Sequence, residues 1–492
     1  MRMEQPDRQN GIRIGKRTFI STVCVLLAVM IGAGILTLVL PQGSYERQIV
    51  NGYEEIIPDS YTVVEGDKLP VWRWFTAPFE VLIGGDNTIA IMIILFLLFI
   101  GGTFLILDKS GVMRYMLVSV TAKMGRHKYA LLAVMTLVGM AIGSTMGIFE
   151  EFAPLVPIAV ALSLALGWDS LVGLGMSVLA VGFGFSVGTF NPFSIMVAQK
   201  LAGLPIFSGL LFRVGAFFIF YGILVAFLLT YAKKIEKNPQ KSLCWESDSA
   251  MREKYRYDTE DGTLENSALK KATFIFIGAF GLIFLYILVS LILMYRGNDA
   301  LTDYTMPVMV VLLTAGGLVA GKRSQYAQKG LFRDFGKGML AMAPGALLIV
   351  MAMSAKQIVL AGGVMDTILH GAYGLISGMG KYQAILLVFG FVLVLEFFIS
   401  SASAKAFIVM PLVVPFASLL GLTRQSLVQS YCFADGFTNL FFPTNAALLI
   451  VLGLVNMSYG KWMRWSWKLI LVTGAACVGL LLLAVRIGYG PA

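Results

Sequence analysis

Long apolar runs recur along the entire chain, and this recurrence limits the fold more than any other feature of the sequence. Of the 492 residues, 58% are apolar and 13% are charged, whereas a soluble globular domain carries about a quarter charged residues. So few charges do not solvate a chain of this length, which excludes a soluble enzyme and a disordered scaffold. The repetition of the runs also excludes a single-pass anchor. The sequence therefore predicts an all-α polytopic protein in a lipid bilayer.

The net charge of +10 is interpreted as a signal of membrane topology rather than of nucleic-acid binding. Most Lys and Arg residues lie in short loops between apolar runs, as in membrane proteins whose cytoplasmic loops are basic. The N-terminal tail, residues 1–17, is basic and is expected in the cytoplasm. Counting charges loop by loop predicts nine crossings of the cell inner membrane, with the C-terminus outside.

The same count divides the chain into two halves joined by a basic loop. We predict, in order, a cytoplasmic tail (1–17), a first transmembrane repeat (18–231), a cytoplasmic linker (232–271), a linking helix with an outer loop (272–304) and a second repeat (305–488).

Two short motifs occur in the same order in both halves. Gly111-Val112-Met113 is matched by Gly363-Val364-Met365, and Met124-Gly125 is matched by Met379-Gly380. Each pair leads into a hairpin of small residues and then into a span broken by Asn and Pro. Because the charge count puts the two copies on opposite sides, we predict inverted-topology repeats, as in secondary transporters. The hairpins are predicted at about 128–166 and 381–420, and the broken helices at about 170–200 and 425–455.

The breaks in the two spans are the predicted binding region. Proline removes a backbone donor, and freed backbone groups at membrane depth need protein or a wet cavity. Half-helix N-termini attract anions, whereas freed carbonyls with small polar side chains hold cations. The small residues predicted to bind substrate or ion are Ser144, Thr145, Thr189, Asn191, Pro192, Ser194, Ser400, Ser401, Ser403, Thr438, Asn439, Pro443, Thr444 and Asn445. The alternative is that they only permit close helix packing.

Four ionisable residues inside apolar segments are further candidates, since a charge at membrane depth is costly. They are Glu150, Glu151, Lys405 and Asp435. Lys405 has two interpretations: an ion pair with Asp435 or a Glu that holds the hairpins, or a contact with a substrate carboxylate. Glu151 is interpreted as a proton carrier or as the partner of a substrate amino group.

No cofactor, structural metal or enzymatic reaction is predicted. The four Cys and two His residues do not cluster, and no nucleophile–base arrangement stands out. The cation expected is a coupling ion, either H⁺ or Na⁺, with Na⁺ held transiently near Asn191 and Asn445. Lys200, Arg213 and Lys356 lie near span ends and are expected to extend towards the membrane surface.

Several stretches are distinctive enough to indicate a family. They are Pro78-Phe79-Glu80, Gly147-Ile148-Phe149-Glu150-Glu151, Asn191-Pro192-Phe193, Met410-Pro411-Leu412 and Asp435-Gly436-Phe437. The chain resembles the YfcC-like members of the four-carbon dicarboxylate anaerobic carrier (DcuC-type) family, in the ion transporter superfamily. The resemblance implies two inverted repeats, each with a re-entrant hairpin and a broken helix, and elevator-type alternating access. It also implies a homodimer and transport of dicarboxylates or amino acids.

Two stretches depart from the family pattern. The family has Gly at the position of Phe149, and Ser-Gly-Ser-Gly-Gln-Ala where this chain has Ser401-Ala402-Ser403-Ala404-Lys405-Ala406. If Lys405 faces the site, it repels arginine or ornithine, which favours an anionic or zwitterionic solute. The sequence thus predicts a cation-coupled secondary transporter of a small carboxylate-bearing solute, either a dicarboxylate or an amino acid. The alternatives are a basic amino acid antiporter of the same fold, a channel, and, least favoured, a membrane-embedded enzyme.

Overall fold

The computed structural model describes residues 16–50, 53–57, 60–84, 87–206, 208–254, 263–296, 298, 300–301, 304–324, 330–376, 379–414, 417 and 420–490. Most of the predicted N-terminal tail therefore lies outside the described residues. Within them the chain is predominantly helical.

The helices of the N-terminal half are α1 (Lys16–Val39), α2 (Trp72–Ile83), α3 (Asn87–Lys109), α4 (Val112–Met124), α5 (Lys128–Met146), α6 (Val156–Ala165), α7 (Ser170–Leu174), α8 (Ala180–Val187), α9 (Val197–Leu201), α10 (Leu210–Lys237) and α11 (Ser249–Lys254). Those of the C-terminal half are α12 (Ser267–Tyr295), α13 (Thr305–Arg323), α14 (Leu331–Ala361), α15 (Met365–Ile376), α16 (Lys381–Glu396), α17 (Ala402–Val413), α18 (Arg424–Thr438), α19 (Ala446–Leu454) and α20 (Tyr459–Arg486). Short 3₁₀ turns occur at Gly125–His127, Glu150–Leu155, Pro239–Lys241 and Thr263–Glu265, and π-helical turns at Gly175–Leu179 and Pro192–Met196.

Four short strands between α1 and α2 depart from the all-α prediction. They are β1 (Gly43–Ser44), β2 (Arg47–Val50), β3 (Tyr53–Ile56) and β4 (Thr62–Val63). β1 pairs with β4 and β2 pairs with β3, both antiparallel. This segment mixes polar residues with Tyr, Val and Ile, which suit a half-buried strand. The fold is therefore mostly, but not wholly, helical.

Nine helical segments among the described residues are long and apolar enough to span a bilayer. They are Thr22–Val39, Ala90–Lys109, Val112–Met146, Ser170–Leu201, Leu210–Lys237, Ser267–Leu293, Thr305–Arg323, Leu331–Ala361 and Tyr459–Arg486. The number equals the predicted nine crossings, but the two sets differ. The continuous helical stretch that ends at Met146 is included, whereas the predicted broken span 425–455 separates into α18 and α19, each too short to be counted.

The chain between α10 and α12 is shorter than the predicted linker. α10 continues to Lys237 and α12 begins at Ser267, so helix occupies both ends of the range predicted for the loop. The lysines that mark the end of α10 are good helix formers, and they also favour a helix C-terminus because of the helix dipole. We call the segment 238–254 the linker.

The linker covers one face of the helix bundle, which we call the linker face. Lys128 Nζ, at the start of α5, pairs with Glu236 Oε1 near the end of α10 at 2.6 Å. Lys461 Nζ, in the first turn of α20, donates to Ser247 Oγ at 3.1 Å. α5 and α20 therefore begin at the linker face, where α10 ends.

The opposite face, which we call the distal face, is defined by contacts of the C-terminal turn. Tyr489 OH donates to Gly209 O just before α10 (2.8 Å), and Tyr489 O accepts a bond from Thr423 Oγ1 just before α18 (2.7 Å). In addition, Ser430 Oγ in α18 donates to Ile385 O, near the start of α16 (3.4 Å). The pair α16 and α17 therefore starts at the distal face, and the chain returns to that face before α18.

Asp169 connects the linker to the bundle through hydrogen bonds. This buried carboxylate caps α7 by accepting a bond from Val172 N at 3.0 Å. It also accepts bonds from Tyr231 OH at 2.6 Å and from Ser242 Oγ at 2.7 Å. Because Asp169 follows α6, the pair α5 and α6 starts and ends at the linker face.

Replacing Asp169 by Ala is expected to release the linker from the bundle. The change removes a helix cap, which contributes about 1 kcal/mol, and two hydrogen bonds to a charged group, each contributing about 1.5–3 kcal/mol. Limited trypsin digestion of the purified protein should therefore cut the linker faster than in the wild type. Unchanged cleavage would show that other contacts hold the linker.

Asp248 provides the matched control for this experiment. Its Oδ2 accepts a bond from Ser170 N at 2.8 Å, and burial raises the pKa of Asp248 to about 6. Because burial disfavours the charge, Asp248→Asn keeps the acceptor without the ionised group. We expect this variant to digest as slowly as the wild type.

Candidate functional site

The tip of the first hairpin lies against the break in the span Ser170–Leu201. Ser144 Oγ is 2.7 Å from Thr189 Oγ1 and accepts a bond from Thr189 N at 3.0 Å. Phe190 N donates to Ser144 O at 3.0 Å. Two of the predicted residues therefore join the hairpin to the break. Thr145 does not join them, because it is exposed and bonds back to Ala141 O of its own helix.

Asn191 holds the two half-helices of this break together. Its fully buried side chain accepts bonds from Phe193 N at 2.9 Å and from Ser194 N at 3.2 Å, as a helix cap. Its amide nitrogen donates to Phe185 O in α8 at 3.4 Å. Pro192 occupies the first helical position, where its missing N–H costs nothing. The sequence therefore builds a helix N-terminus inside the bundle.

Glu150 and Glu151 follow the first hairpin tip, and both are half-buried. Glu151 Oε2 accepts a bond from Phe149 N at 3.2 Å. Glu151 also lines a cavity of about 440 Å³, together with Ile148, Phe193 and residues of α3, α12 and α13. Among the described residues that line this cavity, Glu151 alone is ionisable. The cavity thus lies between the first hairpin tip, the broken helix and three other helices.

The second hairpin tip reaches the same break. Ser401 Oγ caps α17 by accepting a bond from Ala404 N at 3.4 Å. Ser403 Oγ donates to Phe193 O, on the helix that Asn191 caps, at 3.0 Å. A residue of the second half therefore contacts the broken helix of the first half. Ser400 is exposed.

Lys405 is fully buried and its charge is balanced by two carboxylates. Its Nζ forms ion pairs with Glu396 and with Asp435 Oδ1, the latter at 2.8 Å, and donates to Ile399 O at 3.0 Å. One hydrogen bond and two ion pairs therefore surround the ammonium within the protein. Because two carboxylates already balance its charge, Lys405 gives no reason in this structure to exclude a cationic solute.

Glu396 is the member of this cluster that the sequence reasoning missed. It is buried at the end of α16, and the structure pairs it with Lys405. A signal was present, because Glu396 is a single carboxylate in an otherwise apolar run, and such residues need a partner or a function.

The second break is closed by two asparagines. Asn445 Oδ1 caps α19 by accepting a bond from Leu448 N at 3.0 Å, and its amide donates to Asn439 Oδ1. Asn439 in turn donates to Asp435 O at 3.1 Å. Together these bonds join the end of α18 to the start of α19 across the break that contains Pro443.

The remaining predicted residues are buried near the breaks and take no part in these bridges. Thr438 Oγ1 donates to Ala434 O of its own helix at 2.6 Å. The Thr444 hydroxyl is buried and has no hydrogen-bond partner within the described part of the chain, whereas the buried Ser194 hydroxyl interacts with the Cys432 thiol. Thr444 therefore has hydrogen-bonding capacity available to a small ligand or water.

Arg213 does not extend towards the membrane surface, so that prediction is wrong. Its side chain is fully buried and donates to Ser208 O at 2.7 Å, to Tyr489 OH at 3.3 Å and to Thr189 O at 3.4 Å. The guanidinium finds these acceptors because α10 starts beside the first break. Lys200, in contrast, is exposed.

Both hairpin tips and both breaks thus meet in one region of the bundle. Glu150, beside the first tip, is close enough to Asp435 to interact with it electrostatically. A bundle of membrane-spanning helices interrupted at depth, with polar backbone around a cavity, is the architecture of a membrane transporter.

The chain belongs to the C4-dicarboxylate anaerobic carrier family, DcuC, whose model matches residues 19–486. This match confirms the resemblance found in the sequence. The chain is 26% identical over 497 residues to the "Putative basic amino acid antiporter YfcC" of Escherichia coli K12, covering 94% of this chain and 93% of that protein. It is 24% identical to an uncharacterised protein of Haemophilus influenzae Rd, covering 95% of this chain and 97% of that protein.

Two solved transporters are similar to the chain at low identity. The Alcanivorax borkumensis YdaH transporter aligns over 97% of this chain and 100% of its own, with 18% identity and a TM-score of 0.41. Neisseria gonorrhoeae MtrF, described with a class of antimetabolite efflux pumps, aligns over 97% of this chain and 98% of its own, with 15% identity and a TM-score of 0.42.

Proposed function

We propose that this chain is a secondary active transporter that moves a small carboxylate-bearing solute by alternating access, coupled to a cation gradient or to solute exchange. Between the two solute classes, the geometry favours an amino acid over a dicarboxylate. The observation that carries this choice is that Glu151 is the ionisable residue among the described residues on the cavity wall, while two carboxylates balance the charge of Lys405. A single negative charge attracts an amino group and repels a second carboxylate.

The carboxylate of such a solute has a second partner in the cavity wall. Phe193, which lines the cavity, lies in the first turn of the helix that Asn191 caps. A helix N-terminus carries partial positive charge, and it therefore attracts a carboxylate even though Asn191 accepts bonds from the Phe193 and Ser194 N–H groups here. An amino acid fits both ends of this site, with its carboxylate at the helix and an amino group at Glu151.

The similarity to YfcC of Escherichia coli K12 supports the same solute class. It matches almost the whole chain, and its printed name assigns it, putatively, to basic amino acids. A dicarboxylate is the second candidate because the family model is named for C4-dicarboxylates. The two candidates differ in the charge that they bring to Glu151.

The arrangement of the hairpins supports two inverted repeats. The α5–α6 pair starts and ends at the linker face, whereas the α16–α17 pair starts at the distal face and the chain returns there. Hairpins that enter from opposite faces and meet at the breaks are expected of an inverted-repeat transporter. On this proposal the linker face is cytoplasmic. Elevator movement, an inner-membrane homodimer and transient Na⁺ near Asn191 and Asn445 stay predictions.

Replacing Glu151 by Gln tests the proposed solute class. The variant keeps the size of the side chain and removes its charge, so a hydrogen bond to a charged amino group, about 1.5–3 kcal/mol, is weakened. We expect counterflow of arginine and of alanine in proteoliposomes to fall by about tenfold or more, because both solutes bring an amino group to Glu151.

Glu265→Gln is the matched control, because Glu265 is exposed next to α12 and lies outside the site. It should transport normally. Unchanged counterflow of both amino acids would show that Glu151 does not bind the amino group, and a transport loss with a lowered Tm would assign Glu151 to hairpin stability. Saturable succinate transport without arginine transport would make the dicarboxylate candidate correct.

A further inference from the structure

The second hairpin encloses the Lys405 ammonium in a cage of oxygen atoms. The acceptors come from three separate places, which are the Glu396 carboxylate at the end of α16, Asp435 Oδ1 in α18 and the Ile399 carbonyl. Lys405 and Asp435 are fully buried, and Glu396 almost so. The other carboxylate oxygen of Glu396, Oε1, is buried without a hydrogen-bond partner among the described residues.

This cage has the chemistry of a metal-cation site. Carboxylate and main-chain carbonyl oxygens are the ligands that hard cations take in proteins. Ile399 lies in the turn that ends α16, where its N–H donates to Leu395 O at 2.8 Å. Carbonyls at a helix C-terminus carry partial negative charge, and in transporters such unwound carbonyls hold coupling ions.

The helix that supplies Lys405 does not itself stabilise the charge. Lys405 lies in the first turns of α17, four residues after the cap Ser401. A cation near a helix N-terminus is unfavourable because of the helix dipole, and burial adds a desolvation cost. The carboxylates of the cage must therefore offset both the repulsion by the helix dipole and the desolvation cost. The ammonium is held by the cage and not by its own helix.

We infer that Lys405 is a tethered cation that fills a cation site built into the second hairpin, in the place that a free metal ion would occupy. Its role in the transport cycle rests on the proposed function, whereas the site rests on the contacts alone. Without the ammonium, Glu396 and Asp435 would leave two buried negative charges facing each other. An unpaired buried charge is far more costly than a paired one, and either a bound cation such as Na⁺ or protonation of a carboxylate relieves that cost.

The titratable groups around Asp435 do not supply a replacement for the ammonium. Glu150, Tyr431 and Cys432 are close enough to interact with Asp435 electrostatically. None of these three side chains carries a positive charge in either of its protonation states. Loss of the Lys405 charge therefore calls for a cation from solution, either a metal ion or a proton, and the response to Na⁺ separates the two.

Lys405→Ala in the full-length protein is the direct test. In detergent, we expect its Tm to rise when NaCl replaces choline chloride, whereas the wild type shows a smaller rise or none, because ligand binding stabilises the folded state. In proteoliposomes, we expect counterflow of this variant to be low in choline. Na⁺ should restore it by about tenfold, within the usual range of coupling between sites.

Lys200→Ala is the matched control, since it removes an exposed lysine and should respond to Na⁺ as the wild type does. Adding Asp435→Asn to Lys405→Ala removes a ligand and should weaken the Na⁺ response. Lys405→Gln, which keeps a polar donor on a side chain one atom shorter than that of lysine, replaces the alanine variant if that variant does not fold. Equal Tm values in Na⁺ and choline for both lysine variants would overturn the inference.

A wild-type measurement provides a further test that needs no Lys405 variant. A Na⁺-dependent rise in wild-type Tm that Asp435→Asn abolishes would show that free Na⁺ enters the cage, and would overturn the inference. The Tm experiments need no substrate. Absence of the proposed transport activity would therefore leave the assignment of the cage intact. Absence of a Na⁺ effect on Tm in the Lys405 variants would leave the transport proposal intact.

Discussion

Replacing Asn191 by Ala is expected to abolish solute counterflow while the protein still inserts into the membrane. The side chain supplies acceptors for Phe193 N and Ser194 N and a donor for Phe185 O. Each buried group left without a partner costs about 1–3 kcal/mol. Because all these groups lie at one break, the change opens that break and leaves the helices elsewhere in place. Counterflow per amount of protein in the membrane fraction measures the effect.

Asn238→Ala is the control for this variant. Asn238 is exposed at the end of α10, and its side chain makes no cap hydrogen bond. Its replacement should change neither transport nor the amount of protein in the membrane. Normal transport by Asn191→Ala would remove Asn191 from the site. Loss of the variant from the membrane would instead show that the cap serves folding.

Gly147→Ala is expected to reduce transport as severely as Asn191→Ala does, because it disturbs the helix cap that Asn191 forms. Gly147 ends α5 with φ +65°, in the left-handed region that L side chains avoid. A Cβ at this position would overlap the Asn191 carboxamide and approach the ring of Phe193 to 3.0 Å. The methyl group must therefore displace the cap or the hairpin tip. Counterflow should fall to the level of Asn191→Ala, with the protein still in the membrane.

Gly167→Ala separates the clash from the backbone strain. Gly167 also has positive φ, at +87°, but a Cβ there meets nothing within 4 Å. Both variants thus bear the strain of an L residue in the left-handed region, about 1–2 kcal/mol. Only Gly147→Ala disturbs Asn191. If the two variants lose transport equally, backbone strain and not the contact with Asn191 is responsible.

The position of the breaks could be predicted from the sequence because the cause is local. Asn followed by Pro stops a helix and caps the next one, and Asn191 does so here. Asn445 likewise caps α19 after the break that contains Pro443. The hairpin residue Ser144 was identified for a similar reason, since small polar residues in an apolar run mark an interruption. These features depend on neighbours in the chain and not on tertiary packing.

The partners of the buried charges could not be predicted, because they come from distant parts of the chain. Lys405 was an evident anomaly, but whether it meets Glu396 or a solute depends on how α16 packs against α17 and α18. Arg213 was assigned to the membrane surface because it lies near a span end. Its acceptors, Thr189 O and Tyr489 OH, are brought close only by folding.

Counterflow is the decisive measurement for the proposal that this protein carries an amino acid. Purified wild-type protein is reconstituted into liposomes loaded with unlabelled arginine, and labelled arginine is offered outside without an ion gradient. We expect the uptake of labelled arginine to be saturable and to be accelerated by internal arginine. External alanine should reduce this uptake more than external succinate does. Uptake that rises linearly and ignores internal solute would indicate a channel. Acceleration by succinate alone would contradict the amino acid assignment.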